Sequence, residues 1–397
     1  MSKKIIVCSD GTWNDPEQLD RGSLVPTNVV KIARALALAK APDQKDIFYD
    51  MGVGTGKGFD RWLGGLTGAG LLHNIFQCYQ FIAERYQPGD KIYLFGFSRG
   101  AYTVRSVAGL IGKFGLDKSL TMPELLSRHT DKPPITTEQN RPAAQSARKA
   151  DESSQHLNEL RDAYLKLKEN PDSNSVEHYR STHDCYDVTI EMLGVWDTVG
   201  SLGIPLLLPR QLMSEATQKW ISDTLLGKYR FLDVSLNSRI KAAYHALSID
   251  ENRRPFSPTL WSHSDTQVVR QVWFPGIHSN VGGGYADTGL SDNALLWMVA
   301  QASKDAPNGG HDLAFSQSYL DRSIRPDAFY GEIRDERVRL LKRILMQKGL
   351  RNINELCGQV GIQPVIARSA LERMTSTICK KRYEPILPDK YAIEEGF

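Results

Sequence analysis

Gly96-Phe97-Ser98-Arg99-Gly100 has the spacing G-x-S-x-G. A turn, Pro88-Gly89-Asp90, leads into the apolar run Ile92-Tyr93-Leu94-Phe95, which reads as a buried strand. Ala101 to Ile111 continues with helical spacing. Strand, G-x-S-x-G and helix together describe a turn that exposes a serine hydroxyl as a nucleophile. Gly96 and Gly100 keep Cβ atoms out of the crowded space beside Ser98. The peptide N–H of Arg99 falls at a helix N-terminus, where it can stabilise an oxyanion.

A serine hydroxyl attacks only when a base takes its proton. Val188–Gly194 reads as a strand followed by Trp196-Asp197, so Asp197 is the first carboxylate after the serine to stand at a strand end. Two histidines follow it. His278 comes after the strand Val268–Phe274, in Pro275-Gly276-Ile277-His278-Ser279-Asn280. His245 lies in KAAYHALSIDE, whose composition predicts a helix over Arg239–Ile249. Position after a late strand favours His278 as the base, with His245 the alternative. Asp197 would hold the base's tautomer. The oxyanion hole would combine Arg99 N–H with an N–H near Gly11-Thr12, in the loop after the first strand. The remaining histidines, His156 and His183 among them, lie in polar segments and read as solvated.

These groups need a scaffold that brings strand ends together. Lys4–Cys8, Ile47–Asp50, Ile92–Phe95, Val188–Gly194 and Val268–Phe274 alternate with helical segments such as Val29–Ala39 and Leu71–Tyr86. That order predicts an α/β fold of α/β-hydrolase type, a mainly parallel sheet with helices on both faces. Its C-terminal strand ends share one edge, and ligand groups gather there. The expected organisation is a catalytic domain over residues 1–310, with an insert at about 116–186 suited to a lid, and a mostly helical segment over 311–397 packed on the core. Met51–Gly70 is glycine-rich but matches neither a Walker A loop nor a dinucleotide fingerprint. It reads as a loop bordering the site. Glu332–Gln347 reads as an amphipathic basic helix, either packed on the sheet or facing a membrane.

Composition narrows the function classes. The 397 residues carry a net charge of +3, which selects no polyanionic partner, and no nucleic-acid partner is expected. The five cysteines show neither CxxC nor Cys/His metal spacing, so neither a disulfide scaffold nor a metal or other cofactor is expected. The N-terminus lacks the pattern of a secretory signal, and no apolar run reaches the roughly 18 residues of a membrane span. A cytoplasmic protein, or one exported without a signal peptide, is expected.

The blocks GFSRGA, LGVWDTVG, YHALSIDENRRPF and VWFPGIHSNVGGGY, with SDGTWN near the start and ARSALERM and YEPILP near the end, resemble an α/β-hydrolase domain family. That family includes the type VI secretion lipase effectors with phospholipase activity. The resemblance implies a Ser-His-Asp esterase acting on lipid or another ester substrate, with transient contact to a membrane surface. It names no protein partner, and both histidines lie in family blocks. Asn280 departs from the family's frequent aspartate. Two other readings fit the residues: a metal-assisted phosphoester hydrolase using Asp10, Asp197 and His278, or a non-enzymatic lipid- or protein-binding module.

Overall fold

The computed structural model describes residues 2–11, 18–52, 68–120, 145–199, 236–303, 310–325, 330–336, 348–378 and 382–395. Thr12, most of the glycine-rich stretch and residues 337–347 of the expected basic helix lie outside them.

Among the described residues, eight strands form one sheet, and every neighbouring pair is parallel. They are β1 (Lys4–Ser9), β2 (Asp46–Asp50), β3 (Lys91–Phe97), β4 (Ile190–Trp196), β5 (Ile240–Ser248), β6 (Val268–Phe274), β7 (Val365–Ala367) and β8 (Ala392–Glu394). The spatial order is β2-β1-β3-β4-β5-β6-β7-β8. The chain runs outward from β1 to β2 and returns across β1 to β3. The order therefore reverses between β1 and β3, where α/β sheets open a crevice beyond their C-terminal strand ends. Ser98 follows β3 at that point.

The sheet is covered on both faces because its strands are apolar on both faces. Ile5 and Val7 of β1, with Ile92 and Leu94 of β3, pack under the helices α2 (Gly68–Arg85) and α3 (Arg99–Phe114). Ile6, Cys8, Tyr93, Phe95 and Phe97 point the other way, toward α1 (Asn28–Ala37) and α7 (Gly289–Ala302). Such strands lose the alternation that marks a half-exposed strand.

That loss explains one correction. Residues 240–248, IKAAYHALS, form the central strand β5, not a helix. Alanine is the best helix former, and with all but Lys241 buried no period of two survives. Here pairing with β4 and β6 overrides local propensity. A second difference lies at the C-terminus. Beyond helices such as α8 (Gln317–Ser323), α9 (Ile353–Gln359) and α10 (Arg368–Thr375), the segment adds β7 and β8 to the sheet and builds its own core from Leu247, Trp273, Ile353, Cys357 and Ile366.

The insert starts where α3 ends, at the edge of the sheet opposite Ser98. There Leu116–Asp117 pairs antiparallel with Cys185–Tyr186, just ahead of β4. Between them run α4 (Gln145–Glu169) and α5 (Ser175–Thr182). Leu160, Tyr164, Leu167 and Tyr179 are buried with α2 and α3. The described part of the insert is thus core packing at the far edge, not a cover over the serine; residues 121–144 lie outside the description.

Candidate active site

Ser98 sits between the last residue of β3 and the first of α3, with φ 57° and ψ −119°. A non-glycine residue rarely takes positive φ, and such strain collects at functional sites. Close packing enforces it. A Cβ on Gly100 would stand 2.0 Å from Ser9 O, and one on Gly96 would stand 2.6 Å from Gly100 O. The helix N-terminus can therefore press against the end of β1. Ser98 N–H donates to Trp196 O at 3.1 Å, which ties the turn to β4.

Asp197 follows β4 and also has positive φ, 40°. Its N–H donates to Ala246 O at 2.7 Å. His278 opens the short helix α6 (His278–Gly282) after β6. These turns meet at the sheet edge. His278 Nδ1 lies 2.6 Å from Asp197 Oδ2, and His278 Nε2 lies 2.8 Å from Ser98 Oγ. With Asp197 ionised, Nδ1–H is the donor toward it. Nε2 then carries the lone pair and accepts from the Ser98 hydroxyl. Phe97 and Phe256 hold the imidazole, with ring centroids at 4.6 and 5.0 Å.

Asp197 is fully buried and heavily partnered. Arg351 grips it with two nitrogens, Nη1 to Oδ1 at 2.6 Å and Nη2 to Oδ2 at 3.0 Å. Ser248 N–H adds a bond at 3.0 Å and its hydroxyl one at 3.2 Å. Burial pushes the carboxyl up, but the Arg351 charge and the His278 and Arg351 hydrogen bonds outweigh it and hold Asp197 well below the usual carboxylate range. For His278 the balance runs the other way. Burial lowers it, and Asp197 restores only part of that loss. The balance favours the neutral ring, the form a general base needs.

His245 sits elsewhere. It is completely buried on β5, its Nε2 accepts from Thr198 N–H at 3.0 Å, and its ring packs on Trp261 at 5.3 Å. Burial first, and then the nearby Arg105 charge, push it down to about 3. A neutral histidine there braces the turn that carries Asp197. Arg351 is the site residue that sequence reasoning missed. It lies in RNINELC, a segment with no motif or period to mark it.

Gly11 is beside the site, but its N–H donates to Asp10 Oδ1 at 2.7 Å. Thr12 lies outside the described residues. Asp10 is buried, and its Oδ2 accepts from Thr27 Oγ1 at 2.5 Å and from Tyr49 at 2.8 Å. Asp10 thus serves the hydrogen bonding of the loop, while Asp197 serves Arg351 and His278. Asn280 Oδ1 accepts from Ile277 N–H at 3.2 Å, and its Nδ2 donates to Glu332 O at 3.1 Å. An aspartate would lose the second bond.

A parallel, helix-covered sheet whose strand ends join serine, histidine and carboxylate in hydrogen-bonded order defines a protein of α/β-hydrolase type. The chain belongs to the family described as T6SS phospholipase effector Tle1-like, catalytic domain, whose sequence model matches residues 3–301. It is also 33% identical over 129 residues to an uncharacterised protein of Saccharomyces cerevisiae, YEL023C, a match covering 29% of this chain and 18% of that protein. Two solved structures are similar at low identity. One is an uncharacterised protein from Pseudomonas aeruginosa (18% identity, 77% of this chain and 47% of the other, TM-score 0.37). The other is the Tle1 effector bound to the VgrG spike of the type 6 secretion system (15% identity, 72% and 52%, TM-score 0.32). The chain spans about a fifth to a half of the length of these relatives. Among the described residues, no helix is long and apolar enough to cross a membrane.

Proposed function

We propose that the protein is a serine carboxylester hydrolase acting on phospholipid acyl esters through an acyl-enzyme. The observation that carries this reading is the hydrogen-bonded chain Ser98–His278–Asp197, and membership of the phospholipase effector family directs it toward lipid. His278 Nε2 takes the Ser98 proton as Oγ attacks the ester carbonyl. Asp197 stabilises the resulting imidazolium, and Arg99 N–H stabilises the oxyanion. Gly11 N–H, the expected second donor, is held by Asp10 Oδ1 at 2.7 Å, so the reading rests on Arg99 N–H. The imidazolium returns its proton to the departing alkoxide as the C–O bond breaks, leaving acyl-Ser98. Water, deprotonated by the same nitrogen, then releases the fatty acid and restores the serine.

The test uses phosphatidylcholine and phosphatidylethanolamine vesicles with the full chain. Free fatty acid should appear with wild type and fall by about a thousandfold or more with Ser98→Ala. A fluorophosphonate probe should label wild type and not the variant. Undiminished ester turnover by Ser98→Ala would overturn the reading.

A further inference from the structure

Three polar side chains that read as unrelated in sequence converge at the sheet edge opposite Ser98. Asp117 ends the short strand after α3, His156 lies on α4, and His183 caps the C-terminal end of α5. One donor atom from each lies within 4.8 Å of the others. We propose that Asp117, His156 and His183 form a binding site for a divalent transition metal, zinc by its donor set, with three protein ligands and an open fourth position. Two imidazole nitrogens and carboxylate oxygens are the borderline donors that Zn²⁺ takes in tetrahedral sites.

His183 Nδ1 lies 3.1 Å from the carbonyl of Tyr179 and 2.9 Å from Thr182 Oγ1, so that nitrogen is held by its own helix end. Its Nε2 lies 2.8 Å from Glu159 Oε2, on the solvent side. A histidine whose outer nitrogen donates to a backbone carbonyl has the arrangement that orients a metal ligand. His156 Nδ1 lies 3.0 Å from Asp117 Oδ2 and 2.8 Å from Ser119 Oγ.

Asp117 is prepared for this role. Its side chain is 1% exposed, and it accepts from Ser119 N–H at 2.9 Å, Ser119 Oγ at 2.7 Å and Tyr179 OH at 2.9 Å. Tyr179 also stacks on His183, centroids 4.0 Å apart. Glu159, 44% exposed, leaves the site open to solvent on one side. The ion would pin α4 and α5 to the end of α3, on the edge away from Ser98.

The full chain, stripped with a chelator and dialysed, is titrated with Zn²⁺ against a chromophoric competitor. One equivalent should bind, and the thermal unfolding midpoint should rise with it. His183→Gln and His156→Ala should each weaken binding by about tenfold or more and remove the rise. His156 is about a third exposed, 32%, so its variant keeps the test valid if the His183 variant folds poorly. Fluorophosphonate labelling of Ser98 should persist in both, which checks folding and separates this site from the hydrolytic one. Failure of wild type to take up a stoichiometric ion, or uptake unchanged in both histidine variants, would overturn the proposal.

Discussion

His278 is packed between two aromatic rings, hydrogen-bonded at both nitrogens and closed off from water. Its acid–base behaviour sets the pH dependence expected of the proposed hydrolase. Burial lowers its pKa, so the neutral base persists to a lower pH than in a free histidine. Activity is lost as pH falls through that lowered value. The acid limb of kcat/KM for a soluble short-chain ester should therefore lie below about pH 6.5, the ordinary histidine value. A limb centred clearly above it would mean that another group supplies the base. His278→Gln should lower kcat by about a thousandfold or more. His245→Gln tests the opposite role. It should leave Ser98 open to fluorophosphonate while costing about 1–3 kcal/mol in urea unfolding, the range for disturbing a buried hydrogen bond.

Arg351 precedes α9 and reaches the turn after β4, so the geometry of Asp197 depends on an element far along the chain. Arg351→Met should destabilise the fold by about 3–5 kcal/mol, because it strips a partner from a buried carboxylate. Arg351→Lys keeps the charge but loses the planar fork. Its expected signature is a fall in kcat with little change in KM, since Arg351 orients Asp197. The hairpin Leu19–Asp20 with Ser23–Leu24 is a second element to test. Gln18 and Asp20 tie it to Val25 and Ala286, between the end of β1 and the loop after α6. Leu19 and Leu24 are about two-thirds exposed, 66% and 65%. If this edge meets lipid, Leu19→Asp with Leu24→Asp should depress vesicle hydrolysis and spare a soluble ester. Equal loss on both substrates would instead place the defect in the site itself.

The same elements show what was legible in the chain. Ser98 could be read because strand, glycine spacing and helix are local signals, and Asp197 because it follows a strongly apolar strand. The choice between His278 and His245 stayed open because it turned on the structure of residues 240–248, where alanine content imitates a helix. Three-residue strands such as Val365–Ala367 are too short for any period to show. Arg351, and the meeting of Asp117 with His156 and His183, are tertiary facts. Each depends on separate elements arriving at one place, and no local spacing encodes that.

At the scale of the whole molecule, the span that matches the family, residues 3–301, does not contain every element of the sheet and the site. Arg351, β7 and β8 lie beyond it. Without them β6 becomes a bare sheet edge, and Leu247, Ile249 and Trp273 lose the side chains of Ile353, Cys357 and Ile366 that cover them. An exposed apolar strand edge is an aggregation site, and Asp197 would also lose its bidentate partner. A chain ending at residue 303 should therefore be largely insoluble, and any soluble fraction should fail to react with fluorophosphonate. Arg351→Met in the full chain separates the two causes. If the variant is soluble but slow, the C-terminal segment acts on catalysis through Arg351 and on solubility through its strands. A truncated chain that is soluble and labels at the wild-type rate would show instead that the sheet up to β6 folds and holds Asp197 by itself, and that the C-terminal strands are an accessory to it.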